Sequence, residues 1–235
     1  MKWKNLILVF TLPLLVGFIS GGKSSAPSDT PVALVKKIVK DVKYKKENVS
    51  DWEIAKTGLP LKDGEEVKTG SKSLALILFT DGSGLLRVRE NAILHIYGQK
   101  ENQKMNKNTF VQKGLVGFDV KKQAENEEFK FTTPTVVASI RGTGGFLDYS
   151  DDSTFTMSLD SGDVALDFTG LGGGGGMLHS RHTVTINSRG QFNFRSQNDN
   201  DRNLSNSTRQ TEVKKIKINT DSGDLEINYY GNENR

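Results

Sequence analysis

The stretch TTPTVVASIRGTGGFLDYS, residues 132–150, sets one arginine and three glycines behind a run of β-branched residues. A glycine loop that cradles phosphate lies between a strand and a helix, whose N-terminal amides face the anion. Here Val136, Val137 and Ile140 supply a strand, but GFLDYSDDSTFTMSL then continues with strand-like residues, and no Lys-Ser/Thr pair follows the glycines. The glycines therefore read as structural. Gly142, Gly144 and Gly145 permit a bulge or a close approach of two backbones, and Pro134 suits a strand start or edge. Arg141 is expected to donate to carbonyls of neighbouring strands or to pair with a carboxylate.

Three histidines are the other candidates for chemistry. His95 alternates onto the outward face of a strand, while His179 and His182 follow a glycine run in a loop. With nearby acids these two would suit a metal-dependent hydrolase, but no third ligand is identifiable. No nucleophile elbow frames any serine. Asp148, Asp151 and Asp152 cluster without the spaced ligands of a calcium loop and read as a solvated turn. Asn48, Asn203 and Asn206 begin glycosylation sequons, which arise by chance in an asparagine-rich chain. The residues thus imply no catalytic group, no cofactor and no metal.

The elements that would hold these residues are short. The chain has 235 residues, and MKWKNLILVFTLPLLVGFISGG has the layout of a secretory signal peptide over 1–22, with an uncleaved anchor as the alternative. Residues 23–31 read as a flexible leader. With no cysteine, disulfides and thiolate metal sites are excluded. Setting Lys2 and Lys4 aside leaves 30 basic against 28 acidic residues, a balance that gives no reason to expect nucleic acid. The basic run VKKIVKDVKYKK reads as a solvated face. Its periodicity fits either a helix or strands.

From there Gly/Asp turns punctuate short apolar runs, the pattern of an all-β domain that is β-solenoid-like or sandwich-like. In SLALILFTDGSGLLRVRENAILHIYG, Leu76, Leu78, Leu86, Val88, Leu94 and Ile96 alternate, with Asp81-Gly82 turning a hairpin. Residues 99–108 read as a mobile polar loop, TFTMSLDSGDVALDF as a hairpin turning at 160–163, and 171–176 as a glycine-rich break. Further hairpins are expected in 177–235, with a disordered polar loop near 196–210.

Several elements occur together in a known order. Trp52 precedes a G-x-x-L-x-x-G-E-x-V-x-T-G run that ends with Gly64, Thr69 and Gly70. Asp81-Gly82-Ser83, then Gly114 and Phe118 in GLVGF, then Thr133-Pro134-Thr135 through Arg141-Gly142-Thr143 follow. This series resembles the FecR-type domain of bacterial envelope proteins. The resemblance implies a β-rich domain over 32–170 outside the cytoplasm, with 32–46 as strand. RGTGGF is one residue longer than the family's R-G-T-x-F, and the surplus glycine reads as a bulge. Family members include regulators that control a sigma factor, but only Met1 to Asn5 precede the apolar segment, so sigma-factor control is not carried over.

The resulting expectation is an exported, non-enzymatic binding, scaffolding or signal-sensing module in the periplasm, at the cell surface or secreted. Its partner would be an envelope protein or glycan, with no nucleic acid and no stable membrane span after signal cleavage. A structural surface or matrix component is the alternative alongside the hydrolase.

Overall fold

The computed structural model describes residues 30–101, 104–124, 127–149, 151–168, 173–220 and 223–232. The expected signal peptide, the leader up to residue 29 and residues 171–172 of the glycine run lie outside them. The first strands are β1 (Ala33–Val39), β2 (Val42–Lys45), β3 (Glu53–Ile54), β4 (Pro60–Leu61), β5 (Glu65–Thr69), β6 (Leu74–Phe79), β7 (Gly84–Val88) and β8 (Ile93–Glu101). Next come β9 (Lys104–Val120), β10 (Phe129–Thr132), β11 (Val137–Ile140), β12 (Gly144–Tyr149), β13 (Phe155–Ser161), β14 (Val164–Asp167) and β15 (Gly175–Leu178). The chain ends with β16 (His182–Ile186), β17 (Phe192–Ser196), helix α1 (Asp199–Arg209), β18 (Gln210–Thr220) and β19 (Gly223–Asn232).

The first seventeen strands form one continuous array, which β9 folds into two facing halves. The front half runs β4, β1, β6, β7, β9, β12, β13, β16, β17. The back half runs β3, β2, β5, β8, β9, β10, β11, β14, β15. Every pairing is antiparallel except β9 with β10. The mostly-β fold expected from the turn spacing is thus observed, and 32–46 is strand, as the family resemblance implied.

Period-two alternation turns one apolar row of each strand inward. Between the halves Phe79 meets Phe129, and Phe118 meets Phe131, each at a centroid distance of 4.9 Å. Removing such rings from water supplies the main driving force for the fold.

β9 belongs to both halves because it bends. Its N-terminal part pairs with β8 and β10, and its C-terminal part with β7 and β12. The β8 register skips Gln112, a bulge just before the bend. Gly114 then takes φ +97°, and a Cβ there would lie 2.5 Å from the Ala92 Cβ and 2.6 Å from its Cα.

Several local expectations are corrected. Residues 99–108 are not a loop: Gln99↔Asn106 and Lys100↔Met105 extend the β8–β9 ladder, with 102–103 outside the description. Backbone pairing is indifferent to side-chain polarity, so a polar stretch continued the hairpin. β13 and β14 are not a hairpin either, because β13 pairs with β12 and β16 while β14 pairs with β11 and β15. The Gly162 turn instead carries the chain from front to back. The glycine run is strand from Gly175 onward, paired to β14.

The bulge expected from the surplus glycine of RGTGGF is instead on the partner strand, because β12 pairs with β9 without a shift. Gly144 opposes Ser161 and Gly145 opposes Leu159, leaving Asp160 unpaired. A Cβ at Gly145 would sit 2.1 Å from the Ser158 carbonyl oxygen. Gly145→Ala is therefore predicted to cost about 3 kcal/mol of stability through forced separation of β12 and β13, measured as a lower urea midpoint. An unchanged midpoint would contradict this packing.

Candidate binding face

The residues shared with the family pattern occupy turns and strand ends. Trp52 lies beneath two cations, with Lys45 Nζ 5.2 Å and Lys68 Nζ 5.7 Å from its ring centroid. Gly64 donates its N–H to the Ile96 carbonyl at 2.9 Å, and Gly70 donates to that of Asp41 at 2.9 Å. Buried Thr69 donates through its hydroxyl to the Arg89 carbonyl at 2.5 Å and accepts from the Ala92 amide at 3.0 Å. Thr133 closes the β10–β11 turn, donating its amide to the Val136 carbonyl at 2.9 Å. Pro134 is in that turn, not at a strand start or edge. Thr143 exchanges both backbone hydrogen bonds with Val120 and donates its hydroxyl to the Asp163 carbonyl at 3.2 Å. Gly142 precedes it in the β11–β12 turn.

Arg141 departs from its expected role. It is exposed in that same turn and makes no hydrogen bond or ion pair with the described residues. It lines an open groove with Glu127, Glu128 and Asp163 instead. The cation that is buried is one the sequence pattern did not single out. Lys107, 1% exposed, reaches Asp81 at 2.5 Å and so ties β9 to the β6–β7 turn beside Gly82. Burial pushes the Asp81 carboxyl up, but hydrogen bonds from Lys107 and Ser83 outweigh it and hold the group below its ordinary range.

The histidines do not converge. His179 Nδ1 lies 2.9 Å from Asp163, and His182 Nδ1 lies 3.0 Å from the Ser180 carbonyl. Among the described residues no three His, Asp or Glu side chains are grouped so as to hold a metal ion. Asp148 is in β12, where burial and then the Asp152 charge raise its carboxyl, while Asp151 pairs with Lys113 at 3.1 Å.

The segment expected to be disordered near 196–210 is α1. Asn198 caps it reciprocally with Asp201, whose carboxylate also takes both guanidinium nitrogens of Arg195. Burial again works to raise the Asp201 carboxyl, and the Arg195 and Asn198 hydrogen bonds prevail and lower it. The helix is polar because its seat is polar. Asp160, the bulged residue, accepts from Ser205 at 2.5 Å, Arg209 at 2.8 Å and Gln197 at 3.2 Å. Thr208 is buried over Gly117, where a Cβ would come within 2.6 Å of its hydroxyl. α1 thus covers the outer side of the front half across β13, β12 and β9.

No described helix covers the back half. Its registers align one outward row as Lys45, Glu66, His95, Phe110, Thr132, Val137 and Asp167. A second row runs Tyr97, Asn108, Lys130, Ser139, Ala165 and Met177. His95 stacks parallel to Tyr97 at 6.2 Å and meets Phe110 edge-on at 5.3 Å. Burial, then the charges of Glu66, Asp63 and Glu47, raise the Tyr97 phenol. With Trp52 beneath Lys45 and Lys68, these rings make an aromatic surface of mixed charge, on which Lys45 pairs with Glu66 at 2.7 Å and Lys130 with Glu128 at 2.5 Å.

The β domain is thus two-layered, with one outer face covered by α1 and no described helix over the other. Residues 65–165 match the family model for FecR protein. Two solved structures, each of a candidate anti-sigma factor from Parabacteroides distasonis ATCC 8503, are similar at 15% identity, with TM-scores of 0.49 and 0.48. Each alignment covers 57% of this chain and 60% of the other. No curated protein matches the sequence. Among the described residues, no helix is long and apolar enough to cross a membrane.

Removing one partner of the Lys107–Asp81 pair leaves an uncompensated buried charge. Asp81→Ala is predicted to cost about 3 kcal/mol, and adding Lys107→Met to recover most of it. Additive losses in chemical denaturation would show that the pair does not couple.

Proposed function

We propose that the protein is an exported, non-enzymatic binding and scaffolding module of the bacterial cell envelope, in a signal-sensing setting, which holds an envelope protein or glycan on its back face. The observation that carries this reading is the inequality of the two outer faces. On the front, a capped helix satisfies the polar groups of β13 and its neighbours. On the back, half-buried Trp52, His95, Tyr97 and Phe110 stand beside Lys45, Lys68 and Lys130 with no described helix above them. Aromatic rings offer contact area at little conformational cost, and the Lys45–Glu66 and Lys130–Glu128 pairs flank them with charges of both signs. The separate partners of His179 and His182 favour recognition over catalysis. The match to the FecR family model over residues 65–165 supports the signalling setting, and the signal-like N-terminus supports a periplasmic, surface or secreted location.

Trp52 provides the readout, because Trp3 is the only other tryptophan. In a Trp3→Phe background, titration with protein-free glycan or with solubilised envelope protein is predicted to shift Trp52 emission saturably. Phe110→Asp should weaken that response at least ~10-fold, or about 1.4 kcal/mol. A silent Trp52 with both fractions, or undiminished binding by Phe110→Asp, would refute the back-face assignment.

A further inference from the structure

The two ends of the array are finished differently. At the N-terminal end the outermost strands, β3 and β4, are two residues long, and β4 begins with Pro60. Short strands and proline are devices that blunt an edge against pairing. At the other end the outermost strands are β15 and β17, and β17 reads Phe-Asn-Phe-Arg-Ser with no proline. Phe192 and Phe194 oppose Ile186 and Val184, which are fully buried, yet they are 57% and 36% exposed. Phe192 also meets buried Phe168 at 5.5 Å. Among the described residues, the apolar core is open here.

The chain's own continuation is led away from this opening. Asn198 caps α1 directly after β17, and Arg89 on the far side of β7 holds the Gln210 carbonyl at 2.8 Å. β7 lies five strands in from β17, about 24 Å at the usual strand spacing.

We infer that the free edge of β17 binds a second copy of the chain across a two-fold axis at Phe194. Hydrogen bonds from Gln197 to Arg181 and from Asn187 to Gln191 flank the β16–β17 ladder. Alternation then assigns Arg195 and Asn193 to the bonds with β16 and turns the N–H and C=O groups of Phe192, Phe194 and Ser196 outward. A dyad at Phe194 matches that parity. Phe194 exchanges both backbone bonds with Phe194 of the second copy, and Phe192 does so with Ser196. Arg195 falls opposite Asn193, and its charge is already paired with Asp201, so no like charges oppose. The exposed phenylalanines of the two copies cover one another. The blunted N-terminal end leaves the open ends to pair with each other, which closes a dimer and not a filament.

The chain contains no cysteine, so one introduced thiol is diagnostic. Hydrogen-bonded antiparallel partners have Cα atoms about 5.5 Å apart, within disulfide reach. Under mild oxidation Phe194→Cys is predicted to give a covalent dimer, whereas Ile54→Cys, exposed at the opposite end, is not. By sedimentation velocity the unmodified chain should associate with rising concentration. Ser196→Pro, which removes an outward donor without an internal bond, should weaken association at least ~10-fold, as should Phe194→Lys. A chain monomeric at all concentrations, a cross-link formed by the Ile54→Cys variant and not by Phe194→Cys, or association indifferent to Ser196→Pro would each overturn the inference.

Discussion

Everything in this molecule depends on one strand serving two sheets. β9 must satisfy β8 and β10 on one side of Gly114 and β7 and β12 on the other. A straight strand of seventeen residues would leave one half without its central member, and the phenylalanines between the halves would have nothing to face. The bulge at Gln112 and the left-handed backbone at Gly114 supply the change of direction. Ala92 fills the space a side chain would need. The bend is thus fixed by conformation and by packing together.

With the halves in place, the family-pattern residues have a common task. Thr69, Thr133 and Thr143 each use a side chain to satisfy backbone groups where the chain leaves or enters a strand. Asp81 pairs its carboxylate with the Lys107 ammonium across the layers. These are the places where a two-layer fold exposes unpaired amides and carbonyls, and where a missing partner is costly. Asp160 extends the same logic outward. The bulge frees it from its strand ladder, and α1 docks on the carboxylate that results. Structural closure by α1 therefore occupies the front face, and no described helix lies over the back face.

The strand-and-turn character, the Asp81-Gly82 hairpin and the structural role of the glycines were legible from residue types, because turn chemistry and alternation are local. The series of family elements resembles the family whose model the chain matches over residues 65–165. What escaped was set by partners distant in sequence. Arg141 sits among apolar residues and invited a buried role, while Lys107 sits in a polar run and is the buried cation. Only the β9–β10 and β6–β7 geometry distinguishes them. α1 carried a readable signal, Asn198 and Asp201 three residues apart before a basic last turn. Its lack of an apolar stripe hid it, since the surface that receives it is polar.

The bend is tested most directly by comparing Gly114→Ala with Gly58→Ala. Both glycines have positive φ, +97° and +85°, but only Gly114 has neighbours within van der Waals reach of a Cβ. Backbone strain alone costs about 1–2 kcal/mol at such a position. The account predicts that Gly58→Ala loses roughly that amount in urea unfolding, while Gly114→Ala loses at least twice as much and exposes amides of both halves to exchange. Equal, modest losses in the two variants would contradict the claim that this crossing holds the halves together.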